Sequence, residues 1–132
     1  MFVSASGPRL SAMQAAGQPW PNPVSVRGLV DTGASATVVD KAVLSQLGLT
    51  PTGMASVHTP STGTTPHQCL QYDVGLVVPG NQQSDPPLLQ ATLAVTESDF
   101  SMQGIQALIG RDLLRSCILV YNGATGLFSL AF

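Results

Sequence analysis

The chain has 132 residues, and its five basic and seven acidic side chains give a formal charge of −2. Only 9% of residues are charged and 44% are apolar, which excludes a disordered polyelectrolyte or a coiled coil, since both need dense charge. Nucleic acid and membrane are not expected as partners: there is no basic excess to bind a polyanion and no apolar run of the ~18 residues that span a bilayer.

The length is that of one ordinary domain, so residues 1–132 read as a single unit. Residues 1–23 carry the least pattern. They offer a possible first strand around Arg9 to Ala15, then a breaker region in which Pro19, Pro21 and Pro23 supply no ladder donors. Trp20, set among those prolines, is expected to be a packing anchor. Val24 to Val30 reads as a strand, and Ala36 to Val39 as a second apolar run. Asp40 is placed to cap a short helix over Lys41 to Leu47, with Gly48 as its stop. In Gln71 to Val78 the alternation puts Tyr72, Val74 and Leu76 on one face. Leu88 to Val95 and Gln106 to Ile109 are further strands, and Asp112 to Arg115 allows about one helical turn. The chain closes on a hairpin, Cys117 to Tyr121 against Leu127 to Phe132, whose turn is assigned to positive backbone angles at Asn122-Gly123. These runs of β-branched and alternating residues, separated by Gly, Pro, Asn and Asp, predict an all-β domain with one or two short helices.

Between the strands, Thr59 to Pro66 is a stretch of small polar residues around Gly63. It fits an exposed turn or a hairpin covering a cleft. Cys69 and Cys117 are too few for a disulfide scaffold or a zinc site; they read as reduced thiols, with mutual pairing as the alternative. His58 and His67 flank the Gly63 stretch without a nearby ligand cluster, so no metal is expected, and no phosphate loop or nucleophile elbow occurs. The start of the chain lacks the basic and long apolar segments of a signal peptide, which makes the cytoplasm the default compartment. So few charges on so apolar a chain imply that surface is hidden by oligomerisation.

The chemistry lies in Leu29-Val30-Asp31-Thr32-Gly33-Ala34-Ser35, a carboxylate delivered by an apolar strand into small residues. An Asp-Thr-Gly triplet occurs by chance in about two or three chains per hundred of this length, so alone it decides little. A second segment gives it weight: Ala107-Leu108-Ile109-Gly110-Arg111-Asp112-Leu113-Leu114 runs an apolar strand into a glycine and a short helix. Together, in this order, the two segments resemble the retropepsin-like aspartic proteases, the single-domain relatives of pepsin. The match extends over roughly Val24 to Phe132, and the last strands look like those of bacterial members.

The resemblance implies an acid-protease barrel that works as an obligate two-fold dimer, an aspartic endopeptidase acting on peptide or protein substrates without a cofactor. Two facing carboxylates must share a proton in this mechanism, and the chain has one Asp-Thr-Gly, so each subunit would contribute Asp31. Thr32 and Gly33 would hold the catalytic loop, and Ala34, Ser35 and Ala36 would line the substrate cleft. Ser61, Thr62, Gly63 and Thr64 would form the flap, with Pro60 and Pro66 making it less regular than the retroviral one. Gly110 would sit where a strand passes the loop without room for a side chain, and Arg111 and Asp112 would serve structurally. Two departures stand out. Ala34 lacks the hydroxyl that often supports the carboxylate's charge, which predicts a weakly acidic optimum. Ser35 replaces an acid that pairs with arginines in many retroviral members, so Arg111 loses that partner, and Asp112, its neighbour on the helix, is poorly placed to substitute. A dimerisation or peptide-binding module without catalysis is the alternative.

Overall fold

The computed structural model describes residues 1–57 and 66–132. It is mostly β, as the sequence predicts, but with three helices rather than one or two. Strand β1 (Phe2–Ala5) is followed by helix α1 (Gly7–Ala15), so the strand expected around residues 9–15 is a helix. The reason is local: Pro8 stands in the first turn, where its missing N–H costs nothing, Leu10, Ala12, Met13 and Gln14 favour helix, and Gly17 at φ +65° turns the chain away. Trp20 is 54% exposed and anchors no core.

The expected strand at 24–30 is divided into β2 (Val24–Ser25) and β3 (Gly28–Val30). The chain changes partners there. Val26 N–H donates to the Met1 carbonyl, and one residue later Arg27 N–H donates to Gln106 Oε1 while Gln106 N–H returns to the Arg27 carbonyl. Strand β4 (Val38–Asp40) runs straight into α2 (Lys41–Gln46), where Asp40 Oδ1 accepts from Ala42 N–H at 2.8 Å as the cap. Gly48, at φ +61°, ends the turn that follows.

Strands β5 (Gly53–Val57), β6 (His67–Val78), β7 (Leu88–Ser98) and β8 (Ala107–Ile109), with β1 to β4, form one eight-stranded curled sheet ordered β2-β1-β6-β7-β4-β8-β3, β5 lying against β6. The predicted face of β6 is the buried one: Tyr72, Val74 and Leu76 join Val3, Val39, Leu44, Val95 and Leu113 in the core. Leu44 and Leu76 are fully enclosed, each contributing about 1.5–3 kcal/mol of burial. At the far end of the sheet β3 and β8 pair in parallel, Val30 beside Ile109, and β8 pairs antiparallel with β4. Helix α3 (Arg111–Leu114) begins directly beyond β8.

Strands β9 (Ile118–Asn122) and β10 (Leu127–Ala131) form a separate two-stranded sheet. Its turn differs from the expectation. Neither Asn122 nor Gly123 has a positive φ; that conformation belongs to Gly126, at +68°. Asn122 Oδ1 accepts from Ala124 N–H, and its carbonyl accepts from Gly126 N–H, so the longer loop is built by asparagine side-chain bonding rather than by a two-residue turn. Among the described residues no helix is long and apolar enough to cross a membrane.

Candidate active site

Strand β3 delivers Asp31 to the end of the sheet, and the ladder continues one residue past it, with Asp31 N–H donating to the Ile109 carbonyl at 3.0 Å. The chain then turns sharply. Gly33 N–H donates to Asp31 Oδ1 at 2.8 Å and Ala34 N–H to the same oxygen at 3.3 Å. Asp31 Oδ2 has no donor among the described residues. The carboxylate is half-buried, while Thr32, Gly33 and Ser35 are exposed.

Helix α3 grips this loop from beside it. Arg111 N–H donates to the Ala34 carbonyl at 3.0 Å, and Arg111 Nη1 donates to the carbonyls of Thr32 (2.8 Å) and Gly33 (3.1 Å). Asp112 faces elsewhere: Oδ2 accepts Thr37 N–H at 2.8 Å, and Oδ1 accepts the Thr37 hydroxyl at 2.7 Å and Leu113 N–H at 2.8 Å. The buried Thr37 hydroxyl in turn accepts from Gly110 N–H at 3.2 Å. Gly110 itself packs on backbone. A Cβ built there would lie 2.5 Å from the Ala36 carbonyl oxygen and 2.9 Å from Thr37 N, so the expected lack of room is real.

Asp31, Gly33, Ala34, Ser35 and Ala36 open together onto a cleft of about 610 Å³. Its other walls are Val38 of β4, Ala55, Ser56 and Val57 of β5, Thr96 of β7 and Leu108 of β8. Asp31 is the one titratable side chain among these lining residues. Thr32 stands outside the lining. Ser61, Thr62, Gly63 and Thr64, expected from the sequence to form a flap, lie with His58 outside the described residues.

Thr37 was not among the residues singled out from the sequence, although it ties Gly110 to Asp112. A small hydroxyl residue directly before the apolar pair Val38-Val39 gives no local signal, and Asp112 drew attention only as a neighbour of Arg111. The β5 wall was also missed, because its place over the cleft depends on pairing with β6.

The remaining titratable groups carry no comparable arrangement. Among the described residues no cluster of three or more His, Cys, Asp or Glu could hold a metal. Cys69 and Cys117 are free, and burial pushes both thiols up, with the Glu97 charge adding to the effect at Cys69. They are protonated thiols near neutral pH, not nucleophiles. Tyr72 is also held above its ordinary range, by burial and by its 2.9 Å bond to Glu97.

The structure thus sets a strand-borne aspartate in an Asp-Thr-Gly turn beside an apolar strand that ends in a glycine without side-chain room. The chain belongs to the aspartyl protease family and is of retropepsin-like type: the sequence model of that family, described as aspartyl protease, matches residues 20–113. No curated protein matches the chain significantly.

Proposed function

We propose that the protein is a homodimeric aspartic endopeptidase in which each subunit supplies Asp31. The observation that carries this reading is the environment of that carboxylate. Backbone N–H groups hold one oxygen, the other has no donor among the described residues, and the side chain opens on a cleft with no other titratable lining group among those residues. One such group cannot both activate water and protonate a leaving amine. Two brought together can, because carboxylates in close contact share a single proton. The ionised member takes a proton from the bound water; the protonated member hydrogen-bonds the scissile carbonyl and then protonates the amine.

The dimer is supported by β9 and β10. Ile118 is 69% and Leu127 68% exposed, and Val120, Tyr121 and Phe128 are exposed as well. A two-stranded sheet with so many exposed apolar side chains is marginal in water, and a second copy would cover it isologously. Thr32 and Gly33 act as loop-holding residues, and Ala34, Ser35 and Ala36 as the floor for an extended peptide. β5 and β6 stay paired out to Val57 and His67, and Ala55 to Val57 wall the cleft, which favours Ser61 to Thr64 as its cover. Small and apolar walls suit main-chain recognition with uncharged side chains beside the cut.

The test is cleavage of a peptide library by the wild type and by Asp31→Asn. The wild type is expected to cut, and the variant to lose activity on the order of 10³-fold. Retained cleavage in the variant would remove Asp31 from the mechanism. Peptide binding without cleavage by the wild type would make the protein a binding module.

A further inference from the structure

Arg111 is exposed, and the Lys41–Asp99 pair is the one salt bridge among the described residues, so no carboxylate neutralises this guanidinium there. Its Nη1 instead meets the carbonyls of Thr32 and Gly33. Those two carbonyls belong to the peptide units whose N–H groups, on Gly33 and Ala34, both donate to Asp31 Oδ1. One cation therefore sits at the oxygen end of two peptide dipoles, and one carboxylate oxygen sits at their hydrogen end.

We infer that Arg111 is a positioning residue that acts on Asp31 through the Thr32–Gly33 and Gly33–Ala34 peptide groups, within its own subunit. A charged donor on a carbonyl polarises the amide and strengthens its N–H as a donor. Both polarised N–H groups converge on the same oxygen, so the arginine favours the ionised carboxylate without touching it and fixes the plane of the loop. This rests on the protease reading and adds to it a role for a residue that sequence alone marked as structural. Among the described residues, the other elements facing Asp31 contribute no competing charge: Val38, Ala55, Ser56, Val57, Thr96 and Leu108 are uncharged. Asp112, the remaining ionisable group on α3, is turned to Thr37. In the dimer, the second Asp31 would be the other charge in the site.

The experiment compares wild type with Arg111→Met, Arg111→Lys and Arg27→Met, the last removing a cation whose side chain makes no hydrogen bond among the described residues. Each is assayed for kcat and KM across pH, at protein concentrations high enough that activity per chain no longer rises. Arg111→Met is expected to lower kcat about tenfold with KM nearly unchanged. The acidic limb of its kcat/KM profile should move up by about one pH unit, the size of one lost charge-assisted contact. Arg111→Lys should recover part of both effects, and Arg27→Met should show neither. An unmoved acidic limb, or a loss that disappears at high protein concentration as for a purely intersubunit contact, would overturn the inference. If the wild type cleaves nothing, the protease reading fails separately. The relay is then read by carbon-13 NMR titration of the Asp31 carboxyl, where identical curves for wild type and Arg111→Met would overturn it and an upward move in Arg111→Met would support it.

Discussion

At Gly110 the family's two signature segments meet as backbone on backbone. Any side chain must displace the Ala36–Thr37 backbone, which cannot rotate away as a flexible side chain could. Gly110→Ala is therefore expected to cost about 3 kcal/mol or more, seen as a large drop in the urea midpoint together with lost activity. Thr37→Val keeps shape but strips the buried Gly110 N–H of its acceptor and Asp112 of one donor. A loss of about 2 kcal/mol is expected, and equal denaturation curves would show that the hydroxyl is replaceable. The two positions differ in how far they can be read from the chain. Gly110 stands in a recognisable apolar-apolar-Gly motif. Thr37 acquires its role only when a residue 73 positions later folds against it.

Helix α3 shows the same division. Its position, length and structural importance follow from Leu108 to Leu114, but the partners of Arg111 and Asp112 do not. Sequence neighbours point to different sides of a helix, so one side chain secures residues 32 and 33 and the next secures residue 37. Helix α1 was read as a strand because its apolar residues are sparse and none of them is buried; with no face to bury, periodicity had little to report. The end of β7 is tied to the start of α2 by the 2.7 Å pair of Lys41 and Asp99, and by Asp40 Oδ2 accepting Phe100 N–H at 2.8 Å. Lys41, with help from Ser101, holds Asp99 well below the usual carboxylate range. A depressed carboxylate adds stability above its unfolded value near 4 and loses it as pH falls further. The pair thus stays intact at weakly acidic pH, and Lys41→Met should reduce thermal stability modestly at pH 6 at low salt but less at 1 M salt.

For the whole molecule, the curled sheet with its Asp31 loop was legible because two motifs and a set of strand patterns agree with each other. The exposure of the C-terminal strands was not legible, since it depends on what packs against Ile118, Val120 and Leu127 and not on those residues themselves. If the catalytic pair straddles two subunits, specific activity must fall on dilution by mass action. Ile118→Lys, outside the cleft lining, is expected to raise the midpoint of that fall at least about tenfold, while leaving kcat unchanged at saturating protein. Activity independent of concentration in the wild type would argue for a site complete within one chain.

From Cys117 to Phe132 there is no Asp, Glu, Lys or Arg, and both outer edges of the β9–β10 ribbon lack a ladder partner among the described residues. Natural sheets usually protect such edges with a charge, a proline or a bulge that discourages stacking with strangers. This hairpin has no such gatekeeper. Wherever these strands stand uncovered, new charges along them would therefore be the way to keep one molecule from adding its edge to the next.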